Sequence, residues 1–252
     1  MMKKTNYHTH HYRCKHAKGE IEEYVKAAKN KGLEEIGISC HAPFKDSRVL
    51  GDRMDYSELK TYLKEIDEVN NKYPSIKVLK SLECEYFHQL HDYYDELSKL
   101  TDYLILGHHA VIINDDKIVD MFFAETKEEL SLYKKEALKA LNTGLFKIFA
   151  HPDLFMNSYS KWDKHCENIA KEILEACIKN DVIIEYNANG LRVNKNYPNK
   201  EFWQYVAKNY KDIPVIVNSD AHDPEYIYDD FVIEAIKQAK DLGLNLKDSI
   251  SF

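Results

Sequence analysis

Short apolar or β-branched runs alternate along the whole chain with longer segments rich in lysine and glutamate. The runs are TNYHTH at 5–10, EIGISCH at 35–41, KVLKSLECEYF at 77–87, DYLILGHHAV at 102–111, LFKIFAHP at 145–152, VIIEYNANG at 182–190 and IPVIVNSDAH at 213–222. Their length and β-branched content predict strands. Between them, apolar residues recur at i, i+3 and i+4, which predicts helices. Such patterns cover 21–32, 55–73, 126–144 and 230–243. Thr126 and Glu129 stand at capping-box spacing, and Gly144 marks a stop. No tract rich in proline, glycine or serine interrupts the rhythm, so residues 1–252 read as one domain.

Strands alternating with helices imply βα units and a parallel sheet. Seven units allow either a doubly wound sheet or a barrel, and the polar residues decide between them. Each run ends in a residue able to bind metal: His8 and His10, His41, Glu83, His109, His151, Glu185 with Asn187, then Asp220 and His222. A doubly wound sheet gathers ligands near one switch point, whereas a closed barrel brings every strand's C-terminal end to one mouth. Seven polar ends predict the barrel.

His8 and His10 form an HxH, and alternation in an extended chain puts both imidazoles on one face, roughly 7 Å apart. Asp220 and His222 repeat that spacing. Glu83 leaves an apolar strand, where an unpaired carboxylate would be costly and a cation would account for it. With His16, His41, His109 and His151 the set reaches nine residues, too many for one ion and suited to a cluster of two or three. Imidazole-rich coordination suits zinc, manganese or iron better than magnesium. His11 has the wrong parity for the mouth, and His88, His91 and His165 lie in charged segments that predict solvated side chains.

Composition narrows the partners. A net charge of −7 argues against a general nucleic-acid binder. Lysines at the N-terminus are not followed by an apolar stretch, and no run approaches a membrane span. Five cysteines without a CxxC pair (Cys14, Cys40, Cys84, Cys166, Cys177) point to a reducing cytoplasm with buried free thiols. The chain has only four arginines, Arg13, Arg48, Arg53 and Arg192, all in or just after the motif segments. A guanidinium offers a bidentate fork for phosphate. Arg192, then Arg53 and Arg13, are the expected phosphate contacts, with Arg48 closest to chance. The loop holding Lys161 and Trp162 is a natural place for a lid.

The ordered series HTH, His16, SCHAP, SLE, GHHAV, AHPD and NSDAH, from residue 8 to 222, resembles the polymerase-and-histidinol-phosphatase (PHP) superfamily. DRMDYSEL and EYNANGLR point to its monofunctional histidinol-phosphatases. The resemblance implies a distorted (β/α)7 TIM-like barrel and a trinuclear site. It assigns His8, His10, Glu83 and Asp220 to a first ion. Glu83 bridges to a second, completed by His109 and His151, and His16, His41 and His222 hold a third. Cys40 stands where many relatives carry aspartate, and His108 where the residue is usually small or polar.

The implied reaction is phosphomonoester hydrolysis, with L-histidinol phosphate as substrate. The nucleophile would be a metal-bound hydroxide held by Glu83, His10, His151 and Asp220, with Arg192 on the phosphate; the proton donor is unknown. Two other readings are a phosphatase for a nucleotide or another small monoester, and a metal-binding module without catalysis. An amidohydrolase-like enzyme would call for a bridging lysine at a strand end, and no strand end has one.

Overall fold

The computed structural model describes residues 3–46, 51–113 and 117–251. The first four runs form strands β1 (Thr5–Asn6), β2 (Glu35–Ile38), β3 (Lys77–Cys84) and β4 (Tyr103–Leu106). Two short strands follow, β5 (Ala110–Ile113) and β6 (Lys117–Asp120), and the last three runs form β7 (Ile148–Phe149), β8 (Ile183–Asn187) and β9 (Val215–Asn218). The seven strands made by the runs are parallel and adjacent in the order β1-β2-β3-β4-β7-β8-β9. Among the described residues, eight α-helices connect or flank them: α1 (Ile21–Asn30), α2 (Leu59–Lys72), α3 (His91–Leu100), α4 (Lys127–Leu141), α5 (Lys164–Lys179), α6 (Ala188–Arg192), α7 (Lys200–Asn209) and α8 (Asp230–Asp241). The result is a single-domain, TIM-like α/β barrel that is nearly closed.

The seam lies between β1 and β9, where side chains replace much of the ladder. Asn218 Oδ1 accepts from Tyr7 N at 2.8 Å, and Asn6 Oδ1 accepts from Ser219 N at 2.7 Å. Above this, Thr9 bridges to Ala221, and His10 N donates to the Ala221 carbonyl. His8 and His10 therefore lie just past β1 and not within it, yet the extended backbone keeps their shared parity.

Alternation along the strands separates two apolar layers. Leu79, Tyr103, Ile105, Ile148, Ala150, Ile183 and Ile216 form a plug inside the barrel, whereas Val78, Leu82, Leu104, Leu106, Phe149, Ile184 and Val215 face the helices. The predicted capping box of α4 is present: Thr126 Oγ1 accepts from Glu129 N at 3.2 Å, and Glu129 Oε2 from Thr126 N at 3.0 Å. Gly144 follows the helix at φ +74°, a left-handed conformation that suits glycine.

One element was not anticipated. The run after Leu106 does not continue its strand; β5 and β6 pair instead as an antiparallel hairpin beside the barrel mouth. Apolar periodicity alone does not separate one long strand from a strand followed by a hairpin.

Candidate metal centre

The inner face of β3 and its extension carries Leu79, Ser81, Glu83 and Glu85, so the strand leaves the apolar plug and ends in two carboxylates. Glu83 is 1 % exposed and sits against Gly107, where a Cβ would stand 2.3 Å from Glu83 Oε1. Five imidazoles surround it. Oε2 lies 3.3 Å from Nε2 of both His8 and His10, and 3.1 Å from His41 Nδ1. Oε1 lies 3.2 Å from His151 Nε2 and 3.4 Å from His109 Nε2. Burial disfavours the charged carboxylate, but His8, His109 and His41 together hold it well below its ordinary range.

The histidines face one another in three pairs. Nε2 to Nε2 separations are 3.1 Å for His8 and His10, 3.1 Å for His109 and His151, and 3.0 Å for His16 and His222. In four of the six, Nδ1 is tethered elsewhere, which leaves Nε2 as the free donor of a lone pair. His8 Nδ1 is 2.9 Å from Glu185 Oε1, and His109 Nδ1 is 2.8 Å from Glu85 Oε1. His16 Nδ1 donates to the Cys14 carbonyl at 2.8 Å, and His222 Nδ1 to the Asp220 carbonyl at 3.0 Å. Two lone pairs cannot face each other at that distance without a proton or a cation between them.

Two atoms left over point the same way. Asp220 Oδ1 is buried without a hydrogen-bond partner, and so by hydrogen-bond geometry is His41 Nδ1, the atom that faces Glu83. Asp220 Oδ1 nevertheless lies 3.2 Å from His10 Nε2 and 3.6 Å from His8 Nε2. His8, His10 and Asp220 form one group with metal-ligand spacing, and His41, Glu83 and His109 another. This donor set, neutral imidazoles around carboxylates, fits divalent transition-metal ions. His151 and Asp220 both take positive φ, +31° and +46°, which turns their side chains back over the barrel. Such backbone costs roughly 1–3 kcal/mol and concentrates at functional sites.

Charge on the histidines is uneven. Burial lowers the pKa of His109, but Glu83 and Glu85 outweigh it and raise it to about 9. Burial and the neighbouring His10 push His222 down to about 4.

All nine expected ligands therefore converge on one mouth. The arginines do not join them. Arg192 makes a fork to Asp229 at 2.9 and 3.0 Å and also donates to Asn189 and the Ser219 carbonyl. Arg13 forks to Glu65 at 2.7 and 2.8 Å. Arg53 is shared by Asp52, Glu85 and the Ala42 carbonyl. Each of the three guanidiniums expected on phosphate meets a carboxylate here, and none lines the cavity above the histidines. Arg48 lies outside the described residues. Trp162 packs on Phe202 and Tyr205, and neither it nor Lys161 lines the cavity above the histidines. His11 stacks on Tyr62, and His108 Nε2 meets the Tyr133 carbonyl.

Two carboxylates were missed as supports. Glu85 orients His109, and Glu185 accepts from both His8 and His151 N. Glu85 has the parity of Glu83 in the sequence, so alternation held the signal.

The cavity over the cluster encloses about 740 Å³. Ile118, Asp120 and Phe122 of the hairpin and its following turn line it, with Tyr197, whose ring lies 6.2 Å from that of Phe122, and with Lys195 and Tyr226. Phe122 stacks on His109 with ring centroids 5.4 Å apart. Asp52 and Asp120 add acidic groups to the lining. Among the described residues, no helix is long and apolar enough to cross a membrane.

Comparison with known proteins gives consistent results. The family model described as "PHP domain" matches residues 6–189. A Deinococcus radiodurans protein named "Probable histidinol-phosphatase" is 25 % identical over 245 residues, covering 94 % of this chain and 92 % of the relative. The crystal structure of histidinol phosphate phosphatase from Lactococcus lactis, complexed with zinc, L-histidinol and phosphate, superposes with a TM-score of 0.72. It is 21 % identical and the match covers 98 % of this chain and 96 % of that one.

Proposed function

The chain belongs to the PHP domain family, and from that membership we propose that it is a metal-dependent histidinol-phosphatase, hydrolysing L-histidinol phosphate to L-histidinol and phosphate. One observation carries the chemistry: three pairs of imidazole Nε2 atoms, 3.0–3.1 Å apart, converge with Glu83 and Asp220 under a single cavity. The named relatives supply the substrate, since one is called a histidinol-phosphatase and another was crystallised with L-histidinol and phosphate.

His8, His10, Asp220 and Glu83 would hold one ion, His109, His151 and Glu83 a second, and His16, His222 and His41 a third. Zinc, named in the Lactococcus lactis complex, is the leading identity, with manganese and iron the others the donor set accommodates. Bound there, divalent cations lower the pKa of water and neutralise charge on phosphoryl oxygens. The protein's part is positioning. Glu83, packed on Gly107, fixes the spacing of the His8 and His109 pairs, and Glu85 and Glu185 hold two imidazoles in their ligating orientation. Phe122 and Tyr197 make the wall apolar beside the reacting phosphate. Lys195 gives the rim a cation for the phosphate, and Asp52 and Asp120 suit the ammonium and imidazole of histidinol.

The test is metal analysis followed by rates on histidinol phosphate, AMP, phosphotyrosine and an aryl phosphate. Preference for histidinol phosphate by at least ~10-fold in kcat/KM, about 1.4 kcal/mol, is expected. Comparable rates on all four would remove histidinol phosphate as the special substrate. No hydrolysis by metal-replete protein would remove the enzyme reading.

A further inference from the structure

Cys14 is a buried thiol that the reading above leaves unused. It closes the turn Tyr12–Cys14 between His10 and His16 and is 0 % exposed. Its Sγ lies 3.9 Å from His16 Nε2, and the ligand atoms of Cys14, His16 and His222 are all within 4.8 Å of one another. His16 Nε2 and His222 Nε2 are 3.0 Å apart. Around tetrahedral zinc, bonds of about 2.0–2.1 Å to nitrogen and 2.3 Å to sulfur place N and N roughly 3.3 Å apart, and N and S roughly 3.6 Å. The observed separations are edges of that polyhedron to within a few tenths of an ångström.

The surroundings support a sulfur donor. Both imidazoles are tethered through Nδ1 to backbone carbonyls, which fixes Nε2 toward the shared point. The carboxylate beside this pair, Asp220, approaches His222 on its Nδ1 side at 3.5 Å, whereas Glu83 and Asp220 meet the Nε2 atoms of the inner pairs. Cys40 is the nearest alternative, since it clusters with His10 and Cys14, but its Sγ contacts the His11 carbonyl at 3.8 Å.

We propose that Cys14 is a metal ligand, joining His16 and His222 as a thiolate to hold the outermost ion. The inference rests on the metal-dependent reading and gives one of its ions a softer donor set. On binding, the S–H bond breaks, a sulfur–metal bond forms and the proton leaves to solvent; nothing is oxidised or reduced. Thiolate donation selects zinc over manganese at this position.

The test uses the full chain loaded with cobalt(II), whose thiolate complexes absorb in the near ultraviolet by charge transfer. The wild type is expected to show a band from one thiolate per chain, retained in Cys40→Ala and Cys166→Ala. Cys14→Ala and Cys14→Asp should both lose it, with the affinity for one zinc falling by at least ~10-fold in Cys14→Ala. Asp keeps a donor of similar size, so it reports even if the alanine variant does not fold. Cobalt-loaded wild type without the band, or a band surviving in either Cys14 variant, overturns the proposal. Histidinol phosphate hydrolysis is measured on the same samples. Its absence would strike the proposed function and leave the assignment of the band to Cys14 intact.

Discussion

The inner and outer parts of the cluster are built differently. The inner part, His8, His10, His109 and His151 around Glu83, is held by strand ends and is almost wholly buried, and carboxylates face its imidazoles on two sides. The outer part, His16 and His222, stands on loops at the rim, and its tethers run to backbone carbonyls. The difference teaches what each can do. Negative charge inside a dry barrel must be neutralised, so the inner part demands cations for its own stability. The outer part carries no such demand and can exchange with solvent.

Glu83→Gln breaks the inner part most directly. The amide keeps the volume but removes the charge that five imidazoles share, and it presents an NH2 to ligating nitrogens. Activity should fall by at least ~10³-fold, comparable to the loss of a principal electrostatic contact, and metal content should drop. Retention of both full metal content and activity would show that Glu83 does not bridge. Gly107→Ala attacks the same carboxylate from behind. A Cβ 2.3 Å from Oε1 and 2.6 Å from Cδ forces Glu83 to move, so kcat should fall almost as far although residue 107 has no side chain in the site. An unchanged kcat would mean that the carboxylate has room the packing does not show.

These two residues also mark where the sequence is readable. Glu83 was legible because an unpaired charge at the end of an apolar strand is costly, and HTH, SDAH and the other strand ends were legible because a barrel gathers such ends at one mouth. Gly107 was not, since its reason is the approach of a residue from the neighbouring strand. The arginines show the same limit more sharply. Proximity to motifs suggested phosphate, but Arg13 meets Glu65, 52 positions away, and Arg192 meets Asp229, 37 positions away. Sequence patterns report local periodicity well and the partners of long charged side chains poorly.

Glu85→Ala sharpens the comparison by loosening the inner part without removing a ligand. It releases His109 Nδ1 and leaves Arg53 short of one carboxylate. Loss of a supporting carboxylate costs about 10–100-fold in metal affinity or activity, and titration of metal back into the apo protein would measure it. A smaller deficit that excess metal does not rescue would assign Glu85 to folding instead.

Proton linkage should read His109 of the inner part and His222 of the outer part with opposite signs. His109, raised to about 9, binds more protons in the folded apo form than unfolded between pH 6.5 and 9, so its stabilisation is full below 6.5 and lost as pH rises through 9. His222, lowered to about 4, binds fewer protons when folded, so its contribution grows as pH rises from 4 to 6.5. Below pH 6.5 buried Asp153, raised to about 7, opposes the His222 contribution, so the clear signature is His109's: the apo Tm should fall as pH rises beyond about 6.5. Metal occupies the same nitrogens, so the fall above 6.5 should vanish in the loaded protein. An apo Tm that is flat from 6.5 to 9, or a fall that persists with metal, would contradict the assignment.

The smallest effect is expected at Arg192, and it decides what the arginine is for. Its guanidinium joins α6 to Asp229, the N-cap residue of α8, and to the Ser219 carbonyl beside Asp220. Arg192→Ala leaves Asp229 without its partner, so the cost falls on stability, at roughly 2–4 °C in Tm for each kcal/mol in a chain of this size. Because the fork is already filled, KM for the phosphate ester should stay near its wild-type value, and the inner metals should remain. A several-fold rise in KM with unchanged Tm would instead mean that the Asp229 contact opens when phosphate arrives. That outcome would make the outer wall, and not the buried centre, the part that rearranges during catalysis.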